Sequence, residues 1–354
     1  MPLTQAHAKR VTIKDVAREA GVHFTTVSLA LRDHGSIPER TRARIRTIAE
    51  NLGYQKNAVF SALTQFHVNG STAAATPRIA FVANRTFNDA TSFHPHLRSF
   101  YDGARHQAGV LGYELETIIV AQDRHDSRSL ERYLRSHNIS GILIASFEPG
   151  YDTLSLNWDD YAIVKIDSMH MSPEAVIVAN DHRQDIRTTY RQLARRGYRR
   201  IGLAVGRADE ESTQHRFSAG YLIERGEMMP GDEHNIPPLL FPFNPTREQA
   251  VSLLRSWVKH HQLDAVISHH SHIDELLHEA GLRVPRDIAC ACLCIRDDNT
   301  HLTGVRPNNY MIGVKAVSQL ATQIRIGERG IPEFSPQTYV RSEWQEGNSA
   351  PGGN

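Results

Sequence analysis

Residues 11–32 read VTIKDVAREAGVHFTTVSLALR, and their spacing decides how the chain begins. Ile13, Val16, Ala17 and Ala20 recur at i, i+3, i+4 and i+7, which sets four apolar side chains on one stripe of a first helix. Gly21 follows at once, where a backbone turning sharply between two helices needs positive φ. Val22 plugs back toward the core. Thr25 and Thr26 then open a second helix whose inward stripe is Val27 and Leu31. Phe24, Thr25, Ser28, Leu29 and Arg32 remain on its outer face. A helix this short does not bury both faces, and a major groove is wide enough to admit one. The same spacing also suits an ordinary helical hairpin, so the following residues have to decide.

They favour DNA. A third amphipathic helix is expected from Pro38, a residue suited to a first helical turn. It carries Ile45, Ile48, Ala49 and Leu52 inward, shows Arg40, Arg42, Arg44 and Arg46 in its first half, and is closed by Gly53. Three helices are the minimum core for such a module. Residues 1–58 carry a net charge of +5 and the rest −4, although the whole chain is only +1. A basic head on a mildly acidic body is the footprint of a phosphate-binding domain fused to one that leaves nucleic acid alone.

With 11–22 (VTIKDVAREAGV), 25–28 (TTVS), 37–45 (IPERTRARI) and 52–57 (LGYQKN) in view, the chain resembles the lactose-repressor (LacI/GalR) family of transcriptional regulators. The likeness covers the headpiece almost residue by residue and the body more loosely to about residue 346. It implies an all-α helix-turn-helix headpiece over 1–56 and a hinge helix and linker over 57–76. Beyond them it implies a two-lobed α/β effector and dimerisation domain of periplasmic-binding-protein type over 77–346, with two doubly wound parallel sheets, and a disordered tail over 347–354. It further implies a homodimer on operator DNA, controlled by a small-molecule effector, a sugar or sugar derivative. DNA contacts would come from Thr12, His23, Phe24, Thr25, Thr26, Ser28, Leu29 and Arg32, and from Asn57, Ala62 and Leu63 in the hinge. Leu63 matches the wedge that pries open a minor-groove base step. His23 stands where the family commonly has serine, and Leu29 where it often has arginine or another polar residue, so the half-site should differ from the commoner ones.

From residue 78 the pattern alternates strand and helix, which means parallel sheets with helices on both faces. Such a length exceeds one comfortable core, so two lobes are expected. Their crossovers fall near 179–182, 304–308 and 335–338. Ligands bind beyond the carboxyl ends of such strands. That directs attention to Asn84, Asp167, His269 and His270. Arg216, in RFSAGY, is implied by the resemblance to grip polar ligand groups with its fork of donors; read alone it is a helix-surface arginine. Asp167 either accepts hydroxyl hydrogen bonds or shapes its turn. Phe243, in FPFNP, is either an aromatic platform or a packing residue. The family's Asn-Asp pair after the 265–268 strand is replaced by His269 and His270, and its later Gly-Tyr-Asp-Asp by CLCI at 292–295.

Other chemistry fits poorly. Cys290, Cys292 and Cys294 alternate along a strand, which suits buried core thiols better than a zinc site. The 20 histidines include no His-Glu-x-x-His. GYRRIG at 197–202 has P-loop spacing, but Leu203 and Ala204 follow where Lys and Ser/Thr are required. Neither a catalytic residue set, a metal site nor a cofactor is expected, and an enzyme is the competing class. Three cysteines, no long apolar run and no signal-peptide core lead to the expectation of a cytoplasmic protein.

Overall fold

The computed structural model describes residues 11–31, 37–52, 54, 76–84, 96–120, 127–145, 147, 150, 152–231 and 235–352. The chain divides into two compact units, Met1–Ala74 and Ala75–Asn354.

The first unit holds α1 (Ile13–Ala20), α2 (Phe24–Ala30) and α3 (Glu39–Asn51). Thr12 caps α1: its hydroxyl accepts from the Asp15 amide, while the Asp15 carboxylate accepts from the Thr12 amide at 2.9 Å. Gly21 ends that helix at φ 61°, the left-handed conformation the turn required. Val16, Ala17 and Ala20 of α1, Val27 and Ala30 of α2, and Ile45 and Ala49 of α3 form one buried core. Ile13, Leu31, Ile48 and Leu52 pack at its edge.

The second unit contains two sheets. The first comprises β1 (Arg78–Ala83), β2 (Glu114–Ile119), β3 (Ile139–Ala145), β4 (Ala162–Ile166), β5 (Val176–Asn180) and β11 (Gln337–Val340), in the order β11-β5-β4-β3-β1-β2. Every pair in it is parallel. The second comprises β6 (Ile201–Gly206), β7 (Leu239–Phe241), β8 (Ala265–Ser268), β9 (Ala289–Cys292), β10 (Thr303–Arg306) and β12 (Glu343–Gln345), in the order β12-β10-β9-β8-β6-β7. Its pairs are parallel except the β10–β12 edge, which is antiparallel.

Alternation along a strand sorts side chains to opposite faces. On β1, Ile79, Phe81 and Ala83 pack toward α4 (His96–Val110) and α11 (Asn309–Ile326), whereas Ala80 and Val82 pack toward α5 (Ser127–Ser136). In the second lobe Leu203 and Val205 meet α6 (His182–Arg195) and α8 (Arg216–Met228). On the other face Cys290, Cys292 and Cys294 meet α9 (Arg247–His261) and α10 (Ile273–Glu279). The three thiols share that buried face, as their spacing predicts.

Because β11 joins the first sheet and β12 the second, the chain crosses between lobes near 180–182, 306–309 and 340–343. The third crossing lies later than expected, since 337–340 is itself a strand of the first sheet. A short helix, α7 (Arg207–Ser212), precedes α8, separated from it by positive φ at Gln214 and His215. The segment expected as a disordered tail is instead docked through residue 351. Ser349 Oγ donates to the Cys290 carbonyl at 2.7 Å and accepts from the Thr303 amide at 2.8 Å, and Ala350 is buried beneath Arg196. Backbone pairing at 348 and 349 supplies what composition could not show.

Helices α4 and α11 touch backbone to backbone through two glycines. A Cβ on Gly313 would lie 2.0 Å from the Phe100 carbonyl oxygen, and one on Gly103 would lie 1.9 Å from that of Tyr310. Gly313→Ala is therefore expected to destabilise this unit by about 1–3 kcal/mol, the usual cost of overpacking. Urea unfolding followed by far-UV circular dichroism checks it; an unchanged midpoint would show that the helices separate at little cost.

Candidate nucleic-acid interface and effector cleft

At the start of α2, His23, Phe24 and Thr25 make one exposed group. The His23 and Phe24 rings lie 4.3 Å apart, His23 Nδ1 is 2.9 Å from the Thr25 hydroxyl, and Phe24 is 42% exposed. Leu29 and Thr26 are half-buried, so less of each faces outward than the helical stripe suggested. Ser28 lies on α2 between them. The Thr12 hydroxyl is engaged by its own helix, at 2.6 Å from Asp15 Oδ2. Much of the basic character of α3 is also internal. Arg42 pairs with Glu39, and Arg44 Nη2 donates to the Ala20 carbonyl at 3.0 Å, closing the end of α1. Arg32, Asn57, Ala62 and Leu63 lie outside the described residues.

In the larger unit the carboxyl ends of both sheets meet around Asp167. This residue follows β4 with φ 50° and is half-buried. Its carboxylate accepts from the Asn180 amide and from Asn180 Nδ2, each at 3.0 Å, and lies 3.5 Å from His182 Nε2. Asn180 ends β5 and also donates to Asn309 Oδ1 at 3.0 Å, while His182 opens α6. Burial alone would raise the Asp167 pKa. The His182 ring and the Asn180 donors outweigh it and hold the carboxyl below its ordinary value.

His269, after β8, sits beside this group. Its ring is 5.0 Å from Phe217 and 6.4 Å from His182, and its Nδ1 is 3.4 Å from Asp209 Oδ1. Burial opposes its protonation, but Asp209 more than compensates, and the imidazole pKa is raised. Asp185, one turn along α6, is buried, and desolvation pushes it up to about 6 against the pull of His182.

The other expected contacts are arranged differently. His270 is used by its own turn: its Nδ1 accepts from the His272 amide at 3.2 Å, and burial lowers it to about 4, so it is a neutral acceptor. Arg216 reaches across to the first lobe. Its Nε donates to Met169 Sδ at 3.1 Å, its Nη2 to Gln337 Oε1 at 3.2 Å, and its guanidinium lies 5.0 Å over the Tyr339 ring. The residue turned toward the imidazoles is its neighbour Phe217, 4.7 Å from His182. Phe243 is 46% exposed beyond β7, while Phe241 is the aromatic buried there. Asn84 follows β1, half-buried, its Oδ1 without a hydrogen-bond partner among the described residues.

Asn180, His182, Asp185, Asp209 and Phe217 were therefore missed. VIVAN at 176–180 carries the apolar run of a buried strand, and reading it so would have marked Asn180 and His182 as strand-end residues. Among the described residues no group of three or more His, Cys, Asp or Glu side chains could hold a metal ion.

Residues 12–57 match the bacterial regulatory proteins of the lacI family, and residues 190–348 match a periplasmic binding protein-like domain. The ribose operon repressor of Bacillus subtilis (strain 168) is 27% identical over 286 residues, 78% of this chain and 79% of its own. The HTH-type transcriptional repressor PurR of Haemophilus influenzae is 23% identical over 361 residues, 93% of this chain and 97% of its own. A transcriptional regulator CelR–cellobiose complex has a similar fold, with a TM-score of 0.57 and 20% identity over 96% of this chain and all of the other. So does the lac repressor dimer bound to operator and the anti-inducer ONPF, with a TM-score of 0.58 and 17% identity over 97% of this chain and all of the other.

Asp185 provides a sign test. A carboxyl whose pKa is raised on folding opposes the folded state once pH exceeds its unfolded value, and fully so above its folded value of about 6. Asp185→Asn should then be near-neutral at pH 4 and stabilising by roughly 2–3 kcal/mol at pH 8. Urea unfolding at the two pH values checks it, and a difference that fails to grow with pH contradicts the assignment.

Proposed function

Since the chain belongs to the lacI family of bacterial regulatory proteins, we propose that it is a homodimeric, operator-binding repressor. Its DNA affinity is set by a small molecule, a sugar or sugar derivative, held between the two lobes. The observation that carries the DNA reading is the exposed group His23, Phe24 and Thr25 on a helix whose other side closes a three-helix core. Phe24 and Thr25 offer contacts to base edges, and a half-buried Leu29 can add only an apolar contact, such as to a thymine methyl. Thr26 and Ser28 would supply hydroxyls that position the helix on phosphates. Thr12 acts through α1, whose first turn it caps.

In this reading the hinge spans 57–76, where Asn57, Ala62 and Leu63 would meet the minor groove. Closure of the lobes alters the spacing at which two hinges emerge, and a ligand moves that equilibrium only as far as it prefers one state. The ligand reading is supported by what surrounds Asp167. A carboxylate already fixed by two Asn180 donors keeps lone pairs for hydroxyl groups, and Asn84 and Asn180 each have a buried side-chain oxygen without a partner.

Two measurements test the proposal. Leu63→Ala should weaken operator binding by about 1 kcal/mol or more, the scale of one unstacked base step, in gel-shift titrations on a duplex selected from random sequence. Equal affinity removes the wedge role. A thermal-shift series with mono- and oligosaccharides should show at least one concentration-dependent rise, because a ligand of the native state stabilises by mass action. An enzyme with oligomerising N-terminal helices would instead flow through heparin, where the basic head should be retained at low salt.

A further inference from the structure

Two of the three cysteines touch at the carboxyl end of β9. Cys292 closes the strand, Cys294 lies in the bend that follows, and their sulfurs are 3.6 Å apart. The bend also turns the Cys294 amide back onto the Cys292 sulfur, at 3.4 Å. The Cys294 thiol donates to the His269 carbonyl at 2.7 Å, and Asn299 Nδ2 lies 4.0 Å from Cys292 Sγ. Cys290 shares the buried face but sits within the strand itself.

We propose that Cys292 and Cys294 form an oxidation site, a dithiol that a hydroperoxide converts into a disulfide within the chain. Cys292 is the attacking sulfur and Cys294 the resolving one.

Such chemistry needs one thiolate, a second sulfur within reach and a way in for a small oxidant. Burial raises all three thiols. At Cys290 burial prevails over the Ser349 hydroxyl, and the thiol is pushed well up. At Cys292 the Cys294 thiol and amide, then His269 and Arg296, outweigh burial and hold the group below its ordinary value. Cys294 is raised, first by its contact with Cys292 and then by burial, so it keeps its proton while its partner reacts. A disulfide sets its sulfurs about 2.05 Å apart, so the pair has to close by about 1.5 Å, beside a bend that leaves side-chain torsion free to act. The sulfurs are buried, but the His269 and Arg296 side chains beside them are 17% and 21% exposed, and hydrogen peroxide is hardly larger than water.

The steps balance. The Cys292 thiolate attacks one peroxide oxygen, the O–O bond breaks, and the leaving hydroxide takes up the thiol's former proton as water. Cys292 is then a sulfenic acid. The Cys294 sulfur attacks it, the S–S bond forms, the S–O bond breaks, and the Cys294 proton leaves with that oxygen as a second water. The two thiols lose two electrons and two protons, and the peroxide is reduced. Without its S–H, Cys294 no longer donates to the His269 carbonyl, so the change is felt at the turn that carries His269.

The full chain treated with hydrogen peroxide, alkylated, and read by intact mass and peptide mapping tests this. The expected product is lighter by two hydrogens, has 292 and 294 joined and 290 still alkylated after unfolding, and returns to the dithiol with dithiothreitol. Cys292→Ser should slow oxidation of Cys294 about tenfold or more, the scale of one pKa unit in thiolate fraction. Cys294→Ser should leave Cys292 as a sulfenic acid that dimedone captures, and Cys290→Ser should behave as wild type. No bridge in the folded wild type, oxidation of Cys290 as fast as of Cys292, or a bridge between two chains overturns the site. If a variant does not fold, the wild-type peptide map decides alone.

Discussion

Asn180 grips Asp167 with both its backbone amide and its side chain, and the arrangement of the larger unit depends on that clasp. It ties the ends of β4 and β5 together at the point where the chain leaves the first lobe for α6. One residue further on, Asp181 caps α6 by accepting from the Gln184 amide at 3.2 Å. The clasp therefore fixes the direction in which the second lobe departs. Against the burial that raises it, His182 and then the clasp hold this carboxyl below its ordinary value. Beside that negative charge stand the imidazoles of His182 and His269.

Several polar groups where the lobes meet are paired with each other, while Asn180 Oδ1 has no hydrogen-bond partner among the described residues. Arg216 bridges to Gln337 and Tyr339, His269 answers Asp209, and His270 closes its own turn. On the proposed reading a ligand would compete with these internal partners, so its affinity would measure a difference between two sets of hydrogen bonds. On that reading the internal set would hold one arrangement, and the ligand's set another.

The small unit follows the same economy. Several side chains that look like DNA contacts in one dimension are spent on the fold. Thr12 caps α1, Arg44 terminates it, and Arg42 pairs with Glu39. What remains exposed at the start of α2 is partly aromatic, and residues 1–58 carry a net charge of +5. In the proposed reading, charge would supply attraction to any duplex, while the few exposed side chains at the start of α2 would supply discrimination.

Periodicity alone determined the three headpiece helices, the glycine turn, the alternation of strands and helices, and the buried face shared by the three cysteines. These are local consequences of side-chain spacing, which is why they could be read from one dimension. Tertiary structure decided the rest. Whether Arg216 or Phe217 turns toward the imidazoles depends on the phase of α8, and adjacent helical positions point about 100° apart. The C-terminal segment looked unstructured because its order comes from Cys290 and Thr303, distant in sequence. Asp167 gained its partners only because β4 and β5 are neighbours in a parallel sheet, and that pairing joins residues no local pattern connects.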